Sequence, residues 1–248
     1  MSLQSLPGPA PDRRLPRYQQ LRDAVRAQIA AGVWKPGEAI PAEQSLAETY
    51  GIAVGTVRKA IDALVTDGLL IRRQGKGTFV RRAEFSNTLF RFFYFHDKDG
   101  KKAQPEGRVL SCKRVPASAE AAANLSLAPG TAAIRISRLR LLDGAPLLLE
   151  DIWVPARPFA ALMDLRPEEF GNLLYPLYQD LCGQVVGSVE EALSVASVDP
   201  GQADQLGMEA GAPVVVIERL ARGYDKQPLE WRRSLGPADR FHYRIEFH

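Results

Sequence analysis

The chain has little of what builds disulfide scaffolds, metal centres or membrane spans. Among 248 residues there are two cysteines and three histidines. Cys112 and Cys182 stand far apart and in no ligand spacing, which favours two reduced thiols in a cytosolic protein over a disulfide framework. His96, His242 and His248 fall in no motif of the HExxH kind, so no metal and no cofactor is expected. No apolar run approaches the ~20 residues that a membrane-spanning helix needs. The N-terminal stretch MSLQSLPGPAPDRRLPRY lacks an apolar core and is read as a disordered lead-in over residues 1–14, not a secretory signal. No Ser/His/Asp arrangement stands out either, so nothing marks the chain as an enzyme.

What is present is an uneven distribution of charge. Residues 1–83 hold 13 Lys and Arg against 7 Asp and Glu, whereas residues 84–248 hold 19 against 22. A basic front and a mildly acidic back suggest two modules with different partners.

The front module carries the clearest pattern. Leu21, Val25 and Ile29 recur every four residues and predict a helix from Tyr18 to Ala31. A second helix is expected after Pro41, with Leu46, Ala47 and Tyr50 inward and Gly51 at its end. A third spans Val54 to Asp67, with Val57, Ile61, Leu64 and Val65 as its apolar face. Leu69-Leu70-Ile71 then enters a strand, Arg72 to Gly77 turns, and Thr78-Phe79-Val80 returns.

Helix–turn–helix followed by a basic hairpin suits B-DNA, whose major groove admits a helix at its N-terminal end. The exposed start of the third helix holds Val54, Gly55, Thr56 and Arg58, with Lys59 beside them, and Gln44 lies near the start of the second. The hairpin tip offers Gln74, Gly75, Lys76, Gly77 and Thr78, placing a cation where phosphate or the minor groove would lie. These eleven residues are the expected DNA contacts.

The same segment resembles the GntR family of bacterial transcription regulators. The carriers are Arg17-Tyr18-Gln19-Gln20-Leu21, Gly37, Pro41-Ala42-Glu43, Leu46-Ala47, Thr56-Val57-Arg58-Lys59-Ala60, Leu64, Gly68-Leu69-Leu70 and Gly75-Lys76-Gly77-Thr78-Phe79-Val80. The resemblance covers residues 15–83. It implies a DNA-binding domain and, for many members, arginine at the positions held here by Gln44 and Val54.

Residues 84–90 are read as a linker and 91–248 as the second domain. Strands are expected at Leu89–Phe95, Val109–Val115, Ala133–Leu142, Leu147–Val154, Val185–Val195, Val214–Gly223, Leu229–Leu235 and Tyr243–Phe247. Helices are expected near Ser118–Asn124, Phe170–Leu181 and Pro200–Leu206. The fold class is therefore α+β: a winged helix-turn-helix domain, then an antiparallel sheet with flanking helices.

This half repeats itself. Leu125, Gly130, Ile136, Arg138 and Leu139 recur 81 residues later as Leu206, Gly211, Ile217, Arg219 and Leu220, so two pseudo-equivalent halves are expected to share one sheet. Arg138 and Arg140 alternate with apolar neighbours and must share a sheet face. Their counter-charge is Glu150 or Asp151 on the paired strand, or an anionic ligand.

Residues 89–247 resemble the UTRA effector-binding domain of the HutC-type branch of GntR regulators. The carriers are Arg138-Leu139-Arg140, Asp143-Gly144, Pro146, Leu149-Glu150, Tyr175-Pro176-Leu177-Tyr178, Pro228-Leu229-Glu230 and Asp239-Arg240-Phe241. The resemblance implies a chorismate lyase-like fold. It also implies an effector pocket lined by Arg138, Arg140, Glu150 and Glu230, with Ser86 and Asn87 of the connector completing it. A tyrosine common in such domains is replaced here by Gly236. The expected protein is a repressor that binds operator DNA as a homodimer and answers to a small anionic effector. A chorismate lyase-like enzyme tethered to DNA is the rival class.

Overall fold

Four-residue spacing of apolar side chains sets the helices of the first part of the chain, and period-two alternation sets the strands of the second. The structure, a computed structural model, describes residues 14–81 and 105–241. Contacts divide the chain into two units, Met1–Ala83 with Gly223–Gln227, and Glu84–Arg222 with Pro228–His248.

In the first unit α1 (Arg17–Ala30), α2 (Glu43–Tyr50) and α3 (Val54–Thr66) precede a hairpin of β1 (Leu70–Arg73) and β2 (Gly77–Val80). Leu21, Val25 and Ile29 meet Leu46, Tyr50, Val57, Ile61 and Leu64 in a core from which water is excluded. Ala60 is buried there as well, while Val65, expected inward, is only half-buried. α2 stops because Gly51 takes φ 63°, a left-handed conformation that a side chain resists, and this turns the chain into α3. The segment before α2 is extended and runs beside β2: the Ile40 amide donates to the Thr78 carbonyl at 2.9 Å, and the Val80 amide to the Glu38 carbonyl at 2.9 Å. The hairpin is thus braced on one side.

The second unit is built on a six-stranded sheet. Its strands are β3 (Glu106–Pro116), β4 (Ala132–Leu142), β5 (Ala145–Pro155), β6 (Val186–Ser197), β7 (Pro213–Gly223) and β8 (Pro228–Pro237), in the order β3-β4-β5-β8-β7-β6. The internal repeat explains that order. α4 (Ala119–Asn124) leads into β4 and β5, and α6 (Pro200–Leu206) leads into β7 and β8, so β5 and β8 meet at the centre. Ser118 and Asp199, again 81 residues apart, cap the two helices by accepting from Ala121 N and Gln202 N. Gly130 and Gly211 both take positive φ at the matching turns.

Alternation divides the sheet's two faces. On one, Ala133, Trp153 and Trp231 pack under Ala121 and Leu125 beside α4, while Leu139, Leu149, Val216 and Leu235 pack under Ala203 and Leu206 of α6. On the other, Ile134, Ile136, Ile152 and Val154 pack against Phe159, Leu162, Phe170 and Tyr178. Tyr178 belongs to α5 (Leu174–Cys182).

Several limits differ from the sequence reading. β3 starts three residues earlier than Val109 and β6 runs to Ser197. The helix expected from Phe170 begins instead at Leu174, because Pro167–Phe170 forms a tight 3-10 turn ended by Gly171 at φ 60°. A further 3-10 turn at Ala160–Asp164 carried no periodic signal. The strands expected at Leu89–Phe95 and Tyr243–Phe247 lie outside the described residues.

Candidate nucleic-acid interface and buried charge cluster

The expected DNA contacts lie on the starts of α2 and α3 and on the hairpin of the first unit. Val54, Gly55 and Thr56 open α3, whose N-cap Ala53 supplies no side-chain acceptor. The Thr56 amide donates to the Ala53 carbonyl at 2.9 Å, so the positive end of the helix dipole rests with the amides of Val54 and Gly55 ahead of it. Gly55, Arg58, Lys59 and Gln44 are exposed, and Val54 and Thr56 are half-buried. At the hairpin tip Gln74, Gly75, Lys76 and Gly77 are exposed and Thr78 is half-buried.

Side-chain contacts separate these residues in a way the sequence did not. Lys59 places its Nζ 4.3 Å from the centre of the Tyr18 ring on α1, a cation–π contact that draws it from the tip of the helix. Arg58 donates through Nε to Glu43 Oε2 at 3.1 Å. Arg72 donates to the other oxygen of Glu43 at 3.1 Å and also to Asp62. The Asp62 hydrogen bond, with Glu43 adding to it, holds the Arg72 guanidinium above its ordinary value. Glu43, Asp62 and Arg72 were not singled out as site residues from the sequence.

In the second unit the sheet face beneath α5 carries a buried charge cluster. β4 and β5 pair so that Arg138 lies directly opposite Glu150, and Arg138 Nε donates to Glu150 Oε2 at 2.6 Å. The counter-charge is therefore Glu150; Asp151 points to the other face, where it receives Arg135 at 2.6 and 3.1 Å. Arg232 on β8 joins the two central strands, donating to Glu150 at 3.1 Å and to both oxygens of Glu230 at 3.0 and 2.8 Å. Tyr178 donates to Glu230 at 2.7 Å and Tyr175 at 3.2 Å. Arg219, the repeat partner of Arg138, reaches Glu191 on β6 at 2.7 Å. Arg140 donates to the Asn172 carbonyl at 2.7 Å.

Arg138, Arg140, Glu150 and Glu230 thus share one sheet face, within one buried charge network. Ser86 and Asn87 lie outside the described residues. Arg232, Arg219 and Tyr178 are equal members of the network that sequence reasoning left off the site. The repeat was the available signal, since it aligns Arg219 with Arg138 and Arg232 with Glu150.

Electrostatics follow from the count. Arg138, Arg140, Arg219 and Arg232 are buried against Glu150 and Glu230, with half-buried Glu191 beside them. Burial alone would raise the Glu150 carboxyl, but Arg138, Arg232 and Arg140 outweigh it and hold it at about 2. Arg140 goes the other way. Burial lowers it to about 10, Glu150 opposes the shift, and Arg138 and Arg232 add to it. Burial, reinforced by Glu230, pushes Tyr175 up to about 12 and Tyr178 well above the ordinary phenol value, so both stay neutral donors. Within this dense network the buried Nη1 of Arg138 finds no hydrogen-bond acceptor. A buried donor left unpaired is costly, so such an atom calls for a partner.

Cys112 and Cys182 are free thiols, and burial pushes both above the ordinary value. Among the described residues no group of His, Cys, Asp and Glu could hold a metal ion, and no helix is long and apolar enough to cross a membrane.

A winged helix-turn-helix joined to an antiparallel-sheet domain defines a DNA-binding transcription regulator. Residues 17–80 match the family model described as bacterial regulatory proteins, gntR family, and residues 100–242 match the UTRA domain. The chain belongs to the GntR family, in the branch that carries a UTRA domain. It is 27% identical over 228 residues to the HTH-type transcriptional repressor NagR of Bacillus subtilis, covering 92% of this chain and 93% of that one. It is also 27% identical over 233 residues to the mannosyl-D-glycerate transport/metabolism system repressor MngR of Escherichia coli, covering 93% and 95%. Among solved structures, the ligand-binding domain of a GntR-family transcriptional regulator from Bordetella bronchiseptica is similar with a TM-score of 0.55 at 29% identity. It covers 63% of this chain and 98% of that one. YydK from Bacillus subtilis, at 19% identity, shares the fold over 94% of this chain and 100% of its own, with a TM-score of 0.53.

Proposed function

We propose that the chain is a one-component repressor that binds a pseudo-palindromic operator as a homodimer and is switched by a small anionic effector. The domains in this reading are residues 15–83 for DNA and 91–248 for effector, joined by 84–90. Paired recognition helices match the two-fold symmetry of such an operator. The effector shifts the balance only by preferring the arrangement that holds DNA poorly.

The observation that carries the anionic effector is the unpaired Nη1 of Arg138, set in a cluster whose arginines exceed its carboxylates. An anion completes that donor and compensates the excess positive charge. Arg138 and Arg140 take the anion, Glu150 and Glu230 accept from hydroxyl or amine groups, and Ser86 and Asn87 contribute from the connector. On the DNA side, Gly55, Thr56 and Arg58 read the major groove, Gln44, Val54 and Lys59 flank them, and Gln74 to Thr78 follow the backbone. Repression is the activity named for NagR and MngR.

Two measurements test the reading. A gel shift with the chain's own upstream region should show binding well above that to random duplex, and equal binding to both sinks the DNA assignment. A thermal-shift screen of anionic metabolites, followed by the gel shift with any hit, should yield a compound that releases the DNA. Hits that stabilise the chain yet leave the shift unchanged argue against a switch.

A further inference from the structure

Glu43 stands first in α2, on a surface assigned to a polyanion. A carboxylate there opposes phosphate and lowers affinity for every duplex alike. Surface ion pairs contribute little stability, so holding the fold together does not explain the placement. Its geometry does. The two oxygens of Glu43 are divided between two arginines from two different elements, Arg58 on α3 and Arg72 on β1.

The two arginines are held differently. Arg58 is engaged through Nε alone, so this contact leaves uncommitted the two terminal nitrogens, the pair with which an arginine reads a guanine edge. Arg72 is engaged through both terminal nitrogens, one on Glu43 and one on Asp62. Its charge is thereby kept from phosphate. One carboxylate thus presents the arginine placed for bases and withholds the arginine placed for backbone.

We propose that Glu43 is a positioning residue for sequence discrimination: it aims Arg58 at the base edges and, with Asp62, keeps Arg72 off the phosphates. The inference rests on the DNA-binding reading above. Discrimination is the ratio of operator affinity to random-duplex affinity, so restraining non-specific contact raises it as effectively as adding a base contact.

The test uses the full chain. A duplex is selected from a random pool by the wild-type protein and compared with a scrambled duplex of the same composition, across a salt series. Glu43→Gln should tighten binding to the scrambled duplex and weaken binding to the selected one, reducing the ratio about tenfold. Its salt slope on the scrambled duplex should steepen by about one phosphate contact as Arg72 is released. Asp62→Asn frees one terminal nitrogen of Arg72 and leaves the Glu43–Arg58 contact. It should raise scrambled-duplex binding with little loss on the selected duplex. Glu48→Gln makes the same change of charge at an exposed position on the same helix, and should move both affinities together. If Glu43→Gln behaves like Glu48→Gln, the effect is bulk charge and the proposal is overturned. If Glu43→Gln weakens both duplexes in parallel with a lower Tm, its role is structural and the proposal is again overturned. A wild-type chain that selects no duplex would overturn the DNA reading itself, and this inference with it.

Discussion

Arg138 and Glu150 face each other across β4 and β5 and are joined at 2.6 Å, with side-chain exposures of 2% and 0%. Two charges taken fully out of water hold only when further hydrogen bonds complete them, and here Arg232 supplies the second contact to Glu150. The pair is not an isolated ornament of the sheet. It fixes the aim of Arg138, whose Nη1 is left with no acceptor.

The first prediction concerns acid. Glu150 is held at about 2 against an ordinary 4.5. The folded chain therefore takes up that proton at lower pH than the unfolded chain does. The contribution is complete above about pH 5 and is lost as the pH falls toward 2, on the order of 3 kcal/mol. Urea unfolding between pH 6 and pH 3 should show a smaller acid dependence for Glu150→Gln than for wild type. Equal slopes would place the acid sensitivity elsewhere.

The second concerns Gly107 on β3. A Cβ there would come within 3.2 Å of Arg140 Nη1 and 3.3 Å of the Gly171 carbonyl. The Gly107 amide itself donates to the Asn172 side chain at 2.9 Å. Gly107→Val should cost about 1–3 kcal/mol through overpacking and displace the Arg140 guanidinium. Calorimetric titration with an anionic effector should then show weaker binding, while effector-free DNA binding stays as in wild type. Full effector affinity in the variant would separate Arg140 from the effector site.

The third concerns α3. Arg58→Ala should weaken operator binding by about 1–3 kcal/mol if its terminal nitrogens read a base, with a smaller loss on random duplex. Fluorescence anisotropy with both duplexes measures the difference. Unchanged operator affinity rules out the base contact.

The fourth concerns the hairpin tip. Lys76→Ala should weaken binding to every duplex and flatten the dependence of log K on log salt by about one phosphate. An unaltered slope would show that the tip does not meet the backbone.

Much of the architecture was legible because it is written in short-range periods. The stripe Leu21, Val25, Ile29 marks a helix wherever it packs, and the turn at Gly51 needs a residue that tolerates φ 63°. The internal repeat announced two equivalent halves, and the sheet order with β5 beside β8 realises them. Less was legible around residue 170, where a proline at the start of a 3-10 turn and a glycine after it delay α5 to Leu174. Val65 shows the limit of periodicity, since an apolar residue at the edge of a stripe is buried only if another element covers it.

The sequence by itself determined the family, the winged helix-turn-helix and the shared face of Arg138 and Arg140, because motif, helical period and strand alternation are local properties of the chain. Tertiary structure alone decided the pairings. Glu150 and Asp151 are neighbours in sequence, and only the pleat sends one to the buried arginines and the other to Arg135. Arg232 reaches Glu150 from 82 residues away because two strands meet at the sheet centre. Arg58 and Arg72 share one carboxylate because α2, α3 and the hairpin converge. Charge partners are set by three-dimensional distance and burial, and neither quantity is carried by the spacing of residues along the chain.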